Sequence, residues 1–202
     1  MLRQNVTRGL FRLARWRMVG TVPRSGVLVG APHTSNWDFL VMLLVMWHGG
    51  VKPRVLVKKE LFRGPLGWFL RSVGGVPVDR RQPGNLVREL TAPTRDGAPF
   101  LLIIAAEGTR KKSDYWKSGF YRIAERAGQP IVLAFVDGPS KQAGFGPTLW
   151  PSGDVVADMN QVRAFYADKR GLRPALKTEP RLREERRAGP GPGSTDNPQA
   201  GL

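Results

Sequence analysis

Two histidines stand in a chain of 202 residues. One of them, His33, precedes Asp38 in the run Pro32-His33-Thr34-Ser35-Asn36-Trp37-Asp38. An alcohol hydroxyl is a poor nucleophile at neutral pH, and a positioned imidazole takes its proton as it attacks an acyl carbonyl. The imidazole in turn needs a partner on its other ring nitrogen, a role that suits a carboxylate. Residues at this separation on one continuous helix lie on different faces, so the pair works only if His33 precedes a helix whose first turn holds Asp38. Pro32 before the histidine and Ser35 or Asn36 as N-cap fit that arrangement. Taken alone, the spacing describes equally well a solvated loop histidine and an aspartate favoured by a helix dipole. His48, followed by Gly49 and Gly50, reads as the end of a helix.

A second cluster is Glu107-Gly108-Thr109-Arg110, followed by Lys111 and Lys112. Gly108 lets backbone approach a ligand, and Arg110 offers a planar fork that grips a phosphate. Glu107 would repel a phosphate directly and makes more sense orienting an arginine. A third cluster, Gly74-Gly75-Val76-Pro77-Val78-Asp79-Arg80, adds Arg80 as a second anion-binding candidate. In isolation the second cluster is also a charged surface turn, and the third a turn leading into a strand.

The elements that must hold these residues alternate. Val27–Ala31 reads as a short buried strand, Pro32–Asn36 as a loop and Asp38–Trp47 as a buried helix. Further strands are expected at Arg54–Val57, Val76–Val78, Phe100–Ala106 and Ile131–Val136. Helices are expected at Leu61–Val73, from Leu86 to Leu90 before Pro93, at Ser118–Ala127 and from Val155 to Tyr166. The stretch Gly138–Gly153, rich in glycine and proline, reads as loop with one strand at most. This alternation argues for a single α/β domain with a mostly parallel mixed sheet flanked by helices. The second cluster then falls at the carboxyl end of a strand, where open α/β sheets bind ligands.

Residues 1–24 form a basic amphipathic helical segment in this reading, with Leu2, Val6, Leu10 and Leu13 on one face and five arginines around it. The main domain spans 25–173. Residues 174–202, poor in large apolar side chains, are expected to be a disordered tail.

Lys and Arg number 32 against 16 Asp and Glu, a formal charge of +16, which favours a polyanionic partner. The lack of cysteine excludes disulfides, thiolate zinc sites and a cysteinyl acyl-enzyme. The apolar run Phe39–Trp47 falls far short of the roughly 20 residues that span a bilayer, so membrane contact is expected to be peripheral.

In this order the motifs resemble the lysophosphatidic acid acyltransferase family, within the glycerolipid acyltransferases. Its four blocks have counterparts in His33-x4-Asp38, Gly75–Arg80, Glu107–Arg110 and Pro130–Leu133. Ala106 and Ala134 stand where the family commonly has prolines. The resemblance covers roughly residues 25–170. It implies an acyl-CoA or acyl carrier protein donor, direct attack by the hydroxyl of a lysophospholipid such as 1-acylglycerol 3-phosphate, and no cofactor or metal. It implies that His33 is the base and Asp38 its orienting partner. It implies that Arg80, Glu107, Gly108, Thr109 and Arg110 form the acceptor-phosphate region. The surface around Phe62, Trp68 and Phe69 would face the acyl chain or the bilayer, or be core. Location at the cytoplasmic face of the cell membrane, with an anionic surface and no nucleic acid as partner, follows. Two alternatives account for the charge: a basic nucleic-acid-binding protein, which gives no reason for His33 and Asp38 to flank a helix start, and a family member that binds lipid without catalysis.

Overall fold

Alternating side chains along the central strand β2 (Gly26–Gly30) are apolar on both sides, and each side is covered by its own helical layer. The computed structural model describes residues 2–51, 54–78 and 101–186. Around β2 lie β1 (Arg17–Val19), β3 (Arg54–Lys58), β4 (Gly75–Val78), β5 (Leu101–Ile104), β6 (Ile131–Asp137) and β7 (Gln142–Leu149). They form one seven-stranded sheet in the order β1-β7-β6-β2-β5-β3-β4. All neighbours pair parallel except β6 and β7, which are antiparallel. The mixed, mostly parallel α/β sheet is therefore the architecture that the alternation of elements implies.

The helices are α1 (Leu2–Leu13), α2 (Asn36–His48), α3 (Gly64–Ser72), α4 (Gly119–Ala127) and α5 (Val155–Tyr166). Val27 and Val29 pack with Phe120, Ile123 and Ala124 of α4 and Met159, Val162 and Tyr166 of α5. Leu28 points the other way, with Phe11 of α1 and Met42, Val45 and Met46 of α2. Gly128 closes α4 in the left-handed conformation, at φ 57°.

The structure sharpens three expectations and overturns two of them. The amino-terminal segment is not one helix over 1–24: α1 ends at Leu13, Arg15 takes a left-handed φ of 58°, and Arg17–Val19 joins the main sheet beside β7. Its apolar stripe also turns outward. Val6, Leu10 and Leu13 are exposed, while Thr7 and Phe11 are buried. Second, Gly138–Gly153 holds the one strand that the sequence allows it, the eight-residue β7. Its glycines serve close approach, not turning: a Cβ on Gly144 would lie 1.9 Å from the Val19 carbonyl oxygen, and one on Gly146 would lie 2.2 Å from the Phe165 ring. Third, the tail is not disordered from 174. Thr178 and Leu182 are each 1% exposed, and Leu182 lies in the core with Met159 and Tyr166. One well-placed leucine and a web of backbone hydrogen bonds order this stretch despite its polar composition. Residues 187–202 lie outside the described residues, as do Arg80 and the helix expected at Leu86–Leu90.

Among the described residues, no helix is long and apolar enough to cross a membrane, and no group of histidine and carboxylate side chains is arranged to hold a metal ion.

Candidate active site

Adjacent parallel strands bring the two motif loops together. β2 and β5 pair in register, with Val29 opposite Ile104, so the chain leaves the sheet at neighbouring points of the same edge. From β2 it runs through Ala31 and a cis Pro32 to His33; from β5 it runs through Ala105 and Ala106 to Glu107. The loops are tied directly: the backbone N–H of His33 donates to Glu107 Oε1 at 2.8 Å.

Helix α2 begins where the residue types require. Ser35 is its N-cap, in extended conformation, and its side chain accepts from Trp37 N–H. Asp38 completes a capping box from the helix's first turn. Its Oδ2 accepts from Thr34 N–H and Ser35 N–H, each at 2.6 Å. Asp38 is thus fixed beside the loop that carries His33, as the spacing argument demands. Its other oxygen, Oδ1, is buried and makes no hydrogen bond. No hydrogen bond joins the His33 ring to Asp38.

Electrostatics follow from burial. The His33 side chain is only partly open to solvent, and desolvation, then the nearby Arg110 cation, lower its pKa from the ordinary histidine value. The imidazole is therefore neutral at neutral pH, with a lone pair free to accept a proton. Burial raises the Asp38 pKa, against the pull of the Ser35 and Thr34 donors. Glu107 is the most perturbed carboxyl of the three-residue cluster. It is 0% exposed, and burial pushes it up to about 7 despite the His33 N–H. The Asp38 charge adds to that rise, while Lys177 and the Thr178 hydroxyl oppose it.

The site residues expected from the sequence separate into two groups. His33, Asp38 and Glu107 lie together, the two carboxyls buried and the histidine half-buried. Gly108 and Thr109 are half-buried and Arg110 is exposed, so this stretch faces outward. Gly108 has φ 66°, and a Cβ there would press on the Lys117 side chain at 3.0 Å. Glu107 turns inward to the His33 main chain and, among the described residues, forms no ion pair with Arg110. Arg80 lies outside the described residues.

Sequence reasoning missed Tyr166 and Thr34. The Tyr166 hydroxyl is buried 2.9 Å from the carbonyl oxygens of both Val29, near the carboxyl end of β2, and Ala134, in the middle of β6. Burial raises its pKa, so it stays a neutral donor. A tyrosine on the apolar face of an amphipathic helix reads simply as core, and no local signal distinguishes it.

Comparison with known proteins gives concordant results. A family model described as Acyltransferase matches residues 15–135. The 1-acyl-sn-glycerol-3-phosphate acyltransferase of Bacillus subtilis (strain 168) is 32% identical over 137 residues, covering 65% of this chain and 63% of that protein. That of Streptococcus pneumoniae (strain ATCC BAA-255 / R6) is 28% identical over 146 residues, covering 65% of this chain and 53% of that protein. The chain thus spans less than two thirds of the length of either curated relative. The crystal structure of the 1-acyl-sn-glycerophosphate (LPA) acyltransferase PlsC from Thermotoga maritima superposes with a TM-score of 0.55 at 18% identity, over 79% of this chain and 73% of that one. That likeness is one of fold.

Proposed function

Because the chain belongs to the acyltransferase family that its motifs resemble, we propose that it transfers a fatty acyl group to the free hydroxyl of a lysophospholipid, with 1-acylglycerol 3-phosphate as the best-supported acceptor. The names of the relatives support the reaction class and the acceptor. Acyl-CoA or acyl carrier protein is the donor.

The chemistry runs as follows. A ring nitrogen of neutral His33 takes the acceptor hydroxyl proton as that oxygen attacks the thioester carbonyl. The tetrahedral intermediate collapses, the C–S bond breaks, and the imidazolium returns its proton to the departing thiolate. Asp38 Oδ1, buried and without a partner, is the oxygen available to the other ring nitrogen when the site closes on substrate. Glu107 acts through the His33 main chain. Arg110, exposed beside His33, with Gly108 and Thr109, meets the acceptor phosphate; Arg80 joins them in this reading. No cofactor or resident metal takes part.

The enzyme works at an anionic membrane surface, bound peripherally at the cytoplasmic face. The outward-facing Val6, Leu10 and Leu13 of α1, set among exposed Arg8, Arg12, Arg15 and Arg17, support this. The single observation that carries the mechanism is the His33 N–H to Glu107 bond, because it unites two motifs far apart in sequence into one site.

The test is acyl transfer from labelled long-chain acyl-CoA or acyl carrier protein, with anionic liposomes, to a panel of acceptors. The panel holds lysophosphatidic acid, glycerol 3-phosphate, an uncharged monoacylglycerol and an amino-lipid. Product is expected with the phosphorylated lyso-lipid, and Arg110→Ala raises its apparent KM by roughly tenfold while leaving the donor KM within about twofold. No product with any acceptor, despite liposome binding, points to the non-catalytic lipid-binding alternative. Tight salt-dependent binding to DNA or RNA points to the nucleic-acid alternative.

A further inference from the structure

After α5 the chain turns back across the carboxyl ends of the strands. Arg170 N–H donates to Asp137 Oδ1 at 2.8 Å, and Gly171 O accepts from Gly138 N–H at 3.1 Å. The next turn meets the His33 loop. Arg173 N–H donates to Thr34 Oγ1 at 2.9 Å. Gly171, at φ +72°, packs so closely that a Cβ would lie 2.9 Å from Thr34 Oγ1 and 3.1 Å from Pro32 Cβ. Lys177 then donates to the Tyr166 and Ala167 carbonyl oxygens, which ties the chain to the end of α5.

The following residues hold the Glu107 loop from its far side. Thr178 Oγ1 accepts from Ser113 N–H at 3.1 Å, and Thr178 O accepts from Trp116 Nε1 at 3.3 Å. Trp116 N–H donates to Arg181 O at 2.8 Å. Lys117 N–H, next along that loop, donates to Ala106 O at 2.7 Å, directly beside Glu107. Leu182 anchors the segment in the core. The segment is thus fastened to both motif loops, which are themselves joined by the His33–Glu107 bond. The influence of Lys177 and the Thr178 hydroxyl on the Glu107 carboxyl agrees with that placement.

We infer that Gly171–Leu182 is a strap that positions the reacting histidine, with Thr34 and Thr178 as its two positioning residues: one fixes the His33 loop to the strap, the other fixes the Glu107 loop. Neither hydroxyl touches substrate. The kinetic part of this inference rests on the acyl-transfer reading; the structural part does not.

The test uses the full chain with Thr178→Val, Thr178→Ser and Thr34→Val. Two readouts are taken: hydrogen exchange of the His33 amide, with the Val27 amide on Pro130 O as internal reference, and steady-state acyl transfer. In Thr178→Val the His33 amide exchanges at least about tenfold faster while Val27 is unchanged, because the loop loosens without global unfolding. kcat falls about tenfold with donor KM within about twofold, and Thr178→Ser, which keeps the hydroxyl, restores both. Thr34→Val, which removes the other fastening, gives the same pattern and carries the test if Thr178→Val fails to fold. Unchanged exchange and kcat in either folded valine variant overturn the strap. So does equal loss in the valine and serine variants at 178, or acceleration of all amides together. If the wild type transfers no acyl group, the acyl-transfer reading falls while the exchange readout still decides the strap.

Discussion

The two ends of the described chain treat their apolar side chains in opposite ways. In residues 101–186, Phe120, Tyr121, Met159, Val162, Tyr166 and Leu182 are all sealed, and within this stretch Trp150 is the one large apolar side chain left exposed. In residues 2–78, Leu13 is 84% exposed, Trp68 73% and Trp37 66%, with Val6, Leu10, Leu66 and Phe69 also open. The carboxyl-terminal part therefore completes the fold and clamps the site loops. The amino-terminal part leaves apolar surface open among the described residues, and this is the surface that the proposed membrane contact would use. The site lies where the two meet, at the ends of β2 and β5.

The contrast predicts effects of different size. The largest belongs to the sealed part: Phe120→Ala, at a fully buried position, costs about 3–5 kcal/mol in chemical denaturation. A loss below about 1 kcal/mol there would show that this layer is not close-packed.

The seam between the parts is tested next, through Glu107. Its carboxyl goes from an ordinary value of 4.5 to about 7 on folding, so the folded state binds its proton more tightly. This contribution to stability is present at acid pH and is lost as pH rises from 4.5 to about 7. Glu107→Gln keeps an oxygen for the His33 N–H but has no charge to bury. Its stability relative to wild type should rise through that window and level off above it, by on the order of 3 kcal/mol. A difference independent of pH would contradict the burial of an ionisable carboxyl.

The smallest stability effect is expected on the open side. Leu13→Glu should change unfolding by less than about 0.5 kcal/mol. It should nevertheless weaken partition onto anionic vesicles by roughly tenfold, the loss of one leucine's transfer into lipid. Equal vesicle affinity would remove α1 from the membrane contact.

The same contrast explains what the sequence discloses. The His33 loop is legible because its signals are local: a proline, a serine cap and an aspartate in the first helical turn, following a run of valine and leucine. The strands around it are legible from continuous apolar runs such as Ile131–Val136. The strap is not legible, because nothing within 171–182 has a period. It is ordered by bonds to residues far away in the chain, such as Arg173 to Thr34 and Trp116 to Thr178. The extent of β7 is hidden because Gly144 and Gly146, which read locally as turn residues, are required for close approach to Val19 and Phe165. The burial of Glu107 and its bond to a backbone N–H from another loop are likewise set from afar, whereas its sequence neighbours Thr109 and Arg110 suggest only a carboxylate that orients an arginine. The outward turn of the α1 stripe escapes periodicity as well, since an apolar face is the same pattern whether it meets a core or a membrane.

The most direct measurement is kcat/KM for acyl transfer to lysophosphatidic acid by the wild type and by His33→Ala, with the unfolding transition of each recorded in parallel. A base catalyst predicts a fall of at least about 10²-fold in a variant that unfolds as the wild type does. A folded His33→Ala that turns over at the wild-type rate would contradict the account.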